Sequence, residues 1–188
     1  MKLGCVVMAA GNASRFGSNK LLAEYRGKPL FQYALEALPC ETFEKIVVVS
    51  QYPELLRHAK VHGFTAIENN RPNLGQSHSI HLGLAAVSDC DAVLFQVADQ
   101  PNLRRESIAA LIAFYRSDPD HIAGLAHEGQ RGNPCIFPAR FFPELMDIRG
   151  DRGGNVVIRQ HPEALRLLEV DASELRDVDT PEILAQLK

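Results

Sequence analysis

The sequence predicts an α/β protein with a mostly parallel sheet and helices on both faces. Three apolar runs, at residues 3–8, 45–50 and 92–97, are short and bounded by polar or turn residues. Such runs are typical of parallel strands that are buried on both faces. Segments with apolar side chains at helical spacing lie between them. Because each crossover helix returns the chain to the same edge, strands that alternate with helices form a parallel sheet.

The remaining elements alternate in the same way along the chain. Pro29 opens the first helix, since proline suits the first helical turn, and Pro181 opens the last one. The other predicted elements are helices at about 29–38, 53–62, 75–87, 104–116, 138–147 and 155–161, strands at about 65–67, 121–126, 134–137 and 165–170, and loops at 69–73, 129–133 and 150–154.

Composition indicates a single domain spanning residues 1–188. The chain has 188 residues, 46% of them hydrophobic, which is enough to bury a full core. The net charge is -3, and residues of both signs are mixed along the chain without a basic block, which disfavours a nucleic-acid partner. Cys5, Cys40, Cys90 and Cys135 are widely spaced without a C-x-x-C motif, which indicates a reducing, cytoplasmic compartment. No apolar stretch is long enough to span a membrane.

The first strand ends in small residues that favour an anion-binding loop. Ala9, Ala10 and Gly11 leave room for a ligand near the backbone, and glycine lets main-chain N–H groups face an anion. Arg15 and Lys20 then place two cations on a loop of small polar residues. Together they predict a cradle for a triphosphate. An ordinary strand-to-helix turn with surface cations is the structural alternative.

The loop differs from the common phosphate-binding motifs. Five residues separate Gly11 from Gly17, and Leu21 follows Lys20, so the spacing is not that of a Walker loop. The spacing does not fit the dinucleotide-binding glycine motif either.

Asp99 directly follows the strand at 92–97. Ligands of parallel sheets bind beyond the carboxyl ends of the strands. We therefore expect the loops after Met8, Val97 and Cys135 to lie together at this edge of the sheet, which we call the rim. A carboxylate there would hold Mg²⁺ against substrate phosphates. The alternative is an Asx turn that ends the strand before Pro101.

Two further segments allow a functional and a structural interpretation. Asp179 stands before Thr180 and Pro181, where a helix N-cap is also expected. Gly75 would let the chain approach a planar ligand, with Gln76 and Ser79 as hydrogen-bonding groups. The alternative there is a plain helix N-terminus capped by Ser77.

The pattern Ala9-Ala10-Gly11-x-x-Ser14-Arg15-Phe16-Gly17-x-x-Lys20 resembles the signature of the MobA/MocA-type NTP transferases, which include the molybdenum cofactor cytidylyl- and guanylyltransferases. Matching motifs extend to Pro181. The resemblance implies a three-layer, Rossmann-like nucleotidyltransferase fold. It also implies Arg15, Lys20 and Asp99 as catalytic residues, and Asp99 and Asp179 as ligands of Mg²⁺.

The resemblance further implies two binding regions. Gly154-Asn155 replaces the Ala-Arg that the family commonly shows, so Arg152 or Arg159 is expected to supply the missing cation. The implied nucleotide-binding residues are Ala9, Ala10, Gly11, Arg15, Lys20, Leu74, Gly75, Gln76 and Ser79, and the implied acceptor-binding residues are Gly132, Asn133, Pro134, Gly150 and Asp151.

The expected reaction is transfer of CMP from CTP to the phosphate of molybdopterin, with release of pyrophosphate. Ala9-Ala10 resembles the cytidylyl branch, because the guanylyl branch tends to have glycine at the second position. The alternatives are a guanylyltransferase, a sugar- or polyol-phosphate nucleotidyltransferase, or a carrier that inserts a molybdopterin nucleotide into a partner. A molybdoenzyme is the candidate protein partner, and neither nucleic acid nor membrane is expected.

Overall fold

The computed structural model describes residues 1–11, Phe16 and residues 19–187. The strands found there are β1 (Leu3–Ala9), β2 (Glu24–Tyr25), β3 (Lys28–Pro29), β4 (Lys45–Ser50), β5 (Thr65–Glu68), β6 (Ala92–Val97), β7 (Ile122–His127), β8 (Gln130–Pro138) and β9 (Leu165–Glu169). The α-helices are α1 (Leu30–Glu36), α2 (Pro53–Val61), α3 (Gln76–Ala86), α4 (Arg105–Ser117), α5 (Phe142–Asp147), α6 (Asn155–Gln160) and α7 (Pro181–Leu187).

Seven of these strands form one sheet in the order β5-β4-β1-β6-β8-β7-β9. Within it only β8 is antiparallel to its neighbours, β6 and β7, so the predicted mostly parallel sheet is confirmed. β2 and β3 pair separately as a short hairpin. β1 lies between β4 and β6 and is parallel to both, so its carboxyl end lies between theirs at the rim.

Helices cover both faces of the sheet, which gives the three predicted layers. Side chains alternate between the faces of a strand. Accordingly, Cys5 and Val7 of β1 pack with α1, α2 and α4, whereas Val6 packs with α3, α5 and α6. All three side chains are fully buried.

The predicted loop at 129–133 is wrong in extent. The turn consists of Glu128 and Gly129, both with positive φ, and β8 already begins at Gln130. A two-residue turn of this kind matches the twist of two antiparallel strands. The second glycine of the segment, Gly132, therefore belongs to a strand instead of the turn.

The direction of β8 corrects a second expectation. Pro138, at the end of β8, pairs with Ala92 at the start of β6, so the chain after Cys135 runs away from the predicted rim. The start of β8 lies at the rim instead. The sequence rule assumed a parallel strand, and the short hairpin reverses it.

No helix in the described part of the chain is both long and apolar enough to cross a membrane. The four cysteines are free thiols, and three of them are buried.

Close packing of α3 on β1 depends on a glycine. A Cβ atom added at Gly83 would lie 2.3 Å from Val6 Cγ1, and Val6 is buried and β-branched, so it has little freedom to turn aside. We expect Gly83→Ala to lower the free energy of unfolding by up to about 2 kcal/mol, because overpacking costs about 1–3 kcal/mol and the higher helix propensity of alanine offsets about 1 kcal/mol. Urea denaturation measures the change.

A double-mutant cycle supplies the control for this prediction. In the Val6→Ala background both Cγ atoms are absent and only the Cβ atom of residue 6 stays close, at 3.2 Å, so Gly83→Ala should cost clearly less there. An equal loss in both backgrounds would show that Gly83 is not required by its contact with β1.

Candidate active site

The end of β1 is held in place by the end of its neighbour β4. Residues 50–52 donate side-chain hydrogen bonds to three successive carbonyl oxygens of residues 9–11. Engaging these carbonyls neutralises the negative ends of peptide dipoles where an anion is expected. Ser50 Oγ donates to the Ala9 carbonyl at 2.9 Å, Gln51 Nε2 to that of Ala10 at 2.9 Å and Tyr52 OH to that of Gly11 at 3.1 Å.

A cavity of about 650 Å³ opens at this rim, and we call it the rim cavity. It gathers nine of the predicted nucleotide- and metal-binding residues: Ala9, Ala10, Gly11, Lys20, Gly75, Gln76, Ser79, Asp99 and Asp179. Leu74 is not among the lining residues and is 45% exposed. The predicted catalytic residue Arg15 lies outside the described residues.

Lys20 lies between two carboxylates inside the rim cavity. Its Nζ donates to Asp99 Oδ2 at 2.6 Å and to Asp179 Oδ1 at 2.9 Å. Lys20 begins a short 3-10 turn, Lys20–Leu22. The side-chain oxygen of Asn19 accepts a hydrogen bond from the Leu21 amide and so fixes the start of this turn. Burial disfavours the ammonium charge, but the two carboxylates outweigh it and hold the pKa of Lys20 above its ordinary value.

Asp99 does not have the turn-capping role that the structural alternative assigned to it, and Thr180, the neighbour of Asp179, supplies a hydrogen bond at the start of α7. Asp99 Oδ1 is buried and has no hydrogen-bond partner among the described residues, and an Asx turn would need an N–H at Pro101, which has none. At the start of α7 the hydroxyl of Thr180 accepts from the Ile183 amide, at 3.3 Å. The side chain of Asp179 reaches Lys20 instead.

A backbone contact fixes the relative position of these two carboxylates. The amide of Val178 donates to the Asp99 carbonyl at 2.9 Å. The Val178 side chain is fully buried in a small cluster with Tyr25, Leu30 and Leu184. Asp179 is therefore held beside the end of β6 by both main chain and packing.

Asp177 lies near Asp99 without lining the rim cavity, and the sequence analysis did not select it. Gln100 Nε2 donates to its Oδ1 at 2.8 Å. Burial of the carboxyl group and then the charge of Asp99 raise the pKa of Asp177 to about 6, although part of the residue stays exposed. The only sequence signal is its place two residues before Asp179.

The carboxylates of Asp99 and Asp179 suit a divalent cation that takes its other ligands from a substrate. Among residues 1–11, 16 and 19–187, no three His, Cys, Asp or Glu side chains are placed to form a complete metal cage. Mg²⁺ usually binds one or two carboxylates together with phosphate oxygens and water. The unpartnered Oδ1 of Asp99 is a ligand of the required kind.

The start of α3 is built around Gly75 and the loop at 150–151. Gly75 has φ +82, and a Cβ there would lie 2.5 Å from the Asp151 amide nitrogen. The sequence interpretation assigned this space to a planar ligand, whereas the structure fills it with backbone. Asp151 Oδ1 accepts from the Gln76 amide at 3.2 Å, and the Gly150 carbonyl accepts from Ser77. Ser77 therefore does not cap α3, whose N-cap is Gly75.

A second cavity, of about 710 Å³, adjoins the first, and we call it the arginine cavity. Met8, Gln76 and Asp151 line both cavities, so the two share a wall. Of the predicted acceptor residues, Asn133 and Asp151 line the arginine cavity, whereas Gly132, Pro134 and Gly150 do not. Arg131, Arg152 and Arg159 also line it. The sequence analysis named the last two but missed Arg131, which lies in the segment predicted as a turn.

Solved structures from other proteins share this fold. Among solved structures, Rv0371c from Mycobacterium tuberculosis H37Rv has a TM-score of 0.82 at 23% identity, covering 100% of this chain and 98% of that one. CMP:2-keto-3-deoxy-manno-octonic acid synthetase complexed with CTP has a TM-score of 0.80 at 16% identity, covering 100% and 97%. These likenesses show the fold.

The chain belongs to the MobA-like NTP transferase family, whose model matches residues 5–165. The purine catabolism protein PucB of Bacillus subtilis is 28% identical, over 94% of this chain and 91% of that protein. A probable molybdenum cofactor guanylyltransferase of Nostoc sp. is 27% identical, over 99% of this chain and 90% of that protein. The predicted family is thus confirmed.

Proposed function

We propose that this nucleotidyltransferase transfers CMP from CTP to the phosphate of molybdopterin and releases pyrophosphate. The observation that carries the proposal is Lys20 held between Asp99 and Asp179 in the rim cavity, next to a second cavity lined by arginines. The proposal takes residues 1–188 as one cytoplasmic domain, with a molybdoenzyme as the partner that receives the product.

The proposed chemistry is positioning and charge neutralisation. The triphosphate binds at residues 9–11, where Lys20, together with Arg15, neutralises its charge. An oxygen of the acceptor phosphate attacks the α-phosphorus, and the bond to the pyrophosphate oxygen breaks. Because the acceptor is already an anion, no general base is required.

Asp99 and Asp179 are the proposed ligands of Mg²⁺. When bound, the ion would supply the positive charge that lets these carboxylates face a polyanion. Lys20 alone opposes three carboxylates in the described lining of the rim cavity, those of Asp99, Asp151 and Asp179. A further cation is therefore needed for tight binding of a triphosphate.

Guanylyl transfer is the second candidate, because relatives that align with 99% of the chain are named probable molybdenum cofactor guanylyltransferases. Ala10 favours cytidylyl transfer. Ala10 lines the rim cavity, and its side chain takes more room than the glycine that the guanylyl branch tends to have at this position.

The test is pyrophosphate release with each of the four NTPs, Mg²⁺ and molybdopterin, with the product identified by mass. We expect kcat/KM for CTP to exceed that for GTP by about a hundredfold or more, because a site built for one base leaves polar groups unpaired with another. Ala10→Gly should raise the relative use of GTP. Equal or better use of GTP by the unaltered protein would overturn the cytidylyl assignment and support the second candidate.

The same assay separates the remaining alternatives. Turnover with a sugar or polyol phosphate, but not with molybdopterin, would reassign the acceptor. Binding of a molybdopterin nucleotide without pyrophosphate release from any NTP would support a carrier.

A further inference from the structure

The arginine cavity carries positive charge that the described residues do not neutralise. Arg131, Arg152 and Arg159 line it, and within residues 1–11, 16 and 19–187 none of the three forms an ion pair. Three arginines elsewhere do pair with carboxylates: Arg104, Arg105 and Arg166. The one carboxylate in the lining, Asp151, accepts from the amide at the start of α3. The cavity is therefore built for an anion.

Only one of the three arginines is held in a fixed orientation. Arg131 Nη2 donates to Asn155 Oδ1 at 3.1 Å, and its Nη1 donates to the Gly132 carbonyl at 3.1 Å and to Cys135 Sγ at 3.2 Å. Its aliphatic stem packs over Gly124, where an added Cβ would lie 3.3 Å from Arg131 Cγ.

The sheet also contributes to the placement of Arg131. Two steps along β7, from Gly124 to Ala126, correspond to four steps along β8, from Cys135 to Arg131. The intervening residues 132–134 therefore bulge, and bulges commonly redirect a side chain beside a binding site.

We propose that Arg131 binds the phosphate of the acceptor and that Asn155 is the residue that positions its guanidinium group. The inference rests on the proposed function and specifies its acceptor site. The other two arginines are exposed, and their side chains make no hydrogen bond to a described residue, so they lose more freedom on binding. A guanidinium group that is already fixed loses less conformational entropy on binding, and its remaining N–H groups can donate to a phosphate.

The rest of the cavity defines the chemical class of the ligand. Its apolar lining includes Ile80, Phe95, Phe137 and Val156, which suits a planar, largely apolar body. The wall shared with the rim cavity places a ligand bound here next to the nucleotide. Combined with the proposed acceptor, this lining leads us to assign the ligand as a phosphate monoester of a heteroaromatic compound.

Binding of flavin mononucleotide, compared with riboflavin, tests this assignment without any nucleotidyl transfer. The two probes differ only in the phosphate, and flavin fluorescence reports binding of each. We expect the unaltered protein to prefer flavin mononucleotide by about tenfold or more, and Arg131→Gln to remove that preference. Arg116→Gln, which changes an exposed arginine on α4, is the control and should leave the preference intact.

Asn155 distinguishes a positioning role from a structural one. Asn155→Asp keeps the acceptor oxygen but adds a charge that pairs with Arg131, so it should weaken binding of flavin mononucleotide more than Asn155→Ala does. A merely structural contact predicts the reverse order, since aspartate preserves the hydrogen bond.

Three results would overturn the assignment: no preference for flavin mononucleotide in the unaltered protein, an unchanged preference in Arg131→Gln, or a milder effect of Asn155→Asp than of Asn155→Ala. Failure of the proposed function looks different. In that case no NTP would release pyrophosphate, but the protein would still prefer flavin mononucleotide and this preference would still depend on Arg131.

Discussion

Replacing Asp99 by asparagine should abolish metal-dependent turnover while the sheet stays folded. Asparagine has the same shape and can still accept from Lys20, so the contact at 2.6 Å need not be lost. It lacks the charge that a Mg²⁺ ligand supplies. We expect kcat to fall by about 10²–10³-fold or more, the range typical of losing one preorganised electrostatic contact.

Binding of CTP with and without Mg²⁺ separates the metal role from a structural one. In the unaltered protein Mg²⁺ should tighten CTP binding, and in Asp99→Asn it should not. The matched control is Asp89→Asn, an exposed aspartate before β6, which should retain both turnover and the Mg²⁺ effect. If Mg²⁺ still tightens CTP binding in Asp99→Asn, Asp99 is not a metal ligand and most of the proposed mechanism falls with it.

Lys20→Met should produce two effects of opposite sign. Turnover should fall by about 10²–10³-fold, because the variant lacks a charge that stabilises the transition state. Affinity for Mn²⁺ in the absence of nucleotide should rise by about tenfold or more. The ammonium and a metal ion compete for the same two carboxylates, and one charge pair near a protein surface at 4 Å is worth about 4 kcal/mol.

Turnover and metal affinity must be measured on the same preparations to make this test decisive. Mn²⁺ binding is followed by electron paramagnetic resonance without nucleotide, and turnover by pyrophosphate release. Lys28→Met is the control, since Lys28 also forms an ion pair, with Glu36, but at an exposed surface. Near-normal turnover in Lys20→Met would remove Lys20 from catalysis, and unchanged Mn²⁺ affinity would show that the ammonium does not occupy the metal position.

Local sequence patterns predict the strands that are buried on both faces. The apolar runs at 45–50 and 92–97 coincide with β4 and β6, because a strand covered on both sides must be apolar throughout. The same reasoning fails at β8. Gly132 looks like a turn residue, but tight two-residue geometry at Glu128 and Gly129 ends the turn early and reverses the strand.

Site residues are predictable where a strand carries them to the rim and less so where distant segments meet. Asp99 follows from its place after β6. The contact of Lys20 with Asp179 joins residues 159 apart. The sequence analysis did not predict it, and only the family resemblance indicated Asp179 as a site residue. The hydrogen bonds of residues 50–52 to residues 9–11 have no local signal at all, because they depend on the register between two strands.

The hydrogen bond from Val178 to Asp99 has a consequence for the order of folding. Asp179 lies in a segment that follows all the strands of the sheet, so its contacts can open without loss of any strand pairing. The sheet from β1 to β9 is complete by residue 169, whereas the second carboxylate arrives with the segment that follows. A chain can therefore have all seven strands of its sheet paired before it has a complete cation site. Local unfolding of the segment after residue 169 would likewise inactivate the enzyme while the sheet stays folded.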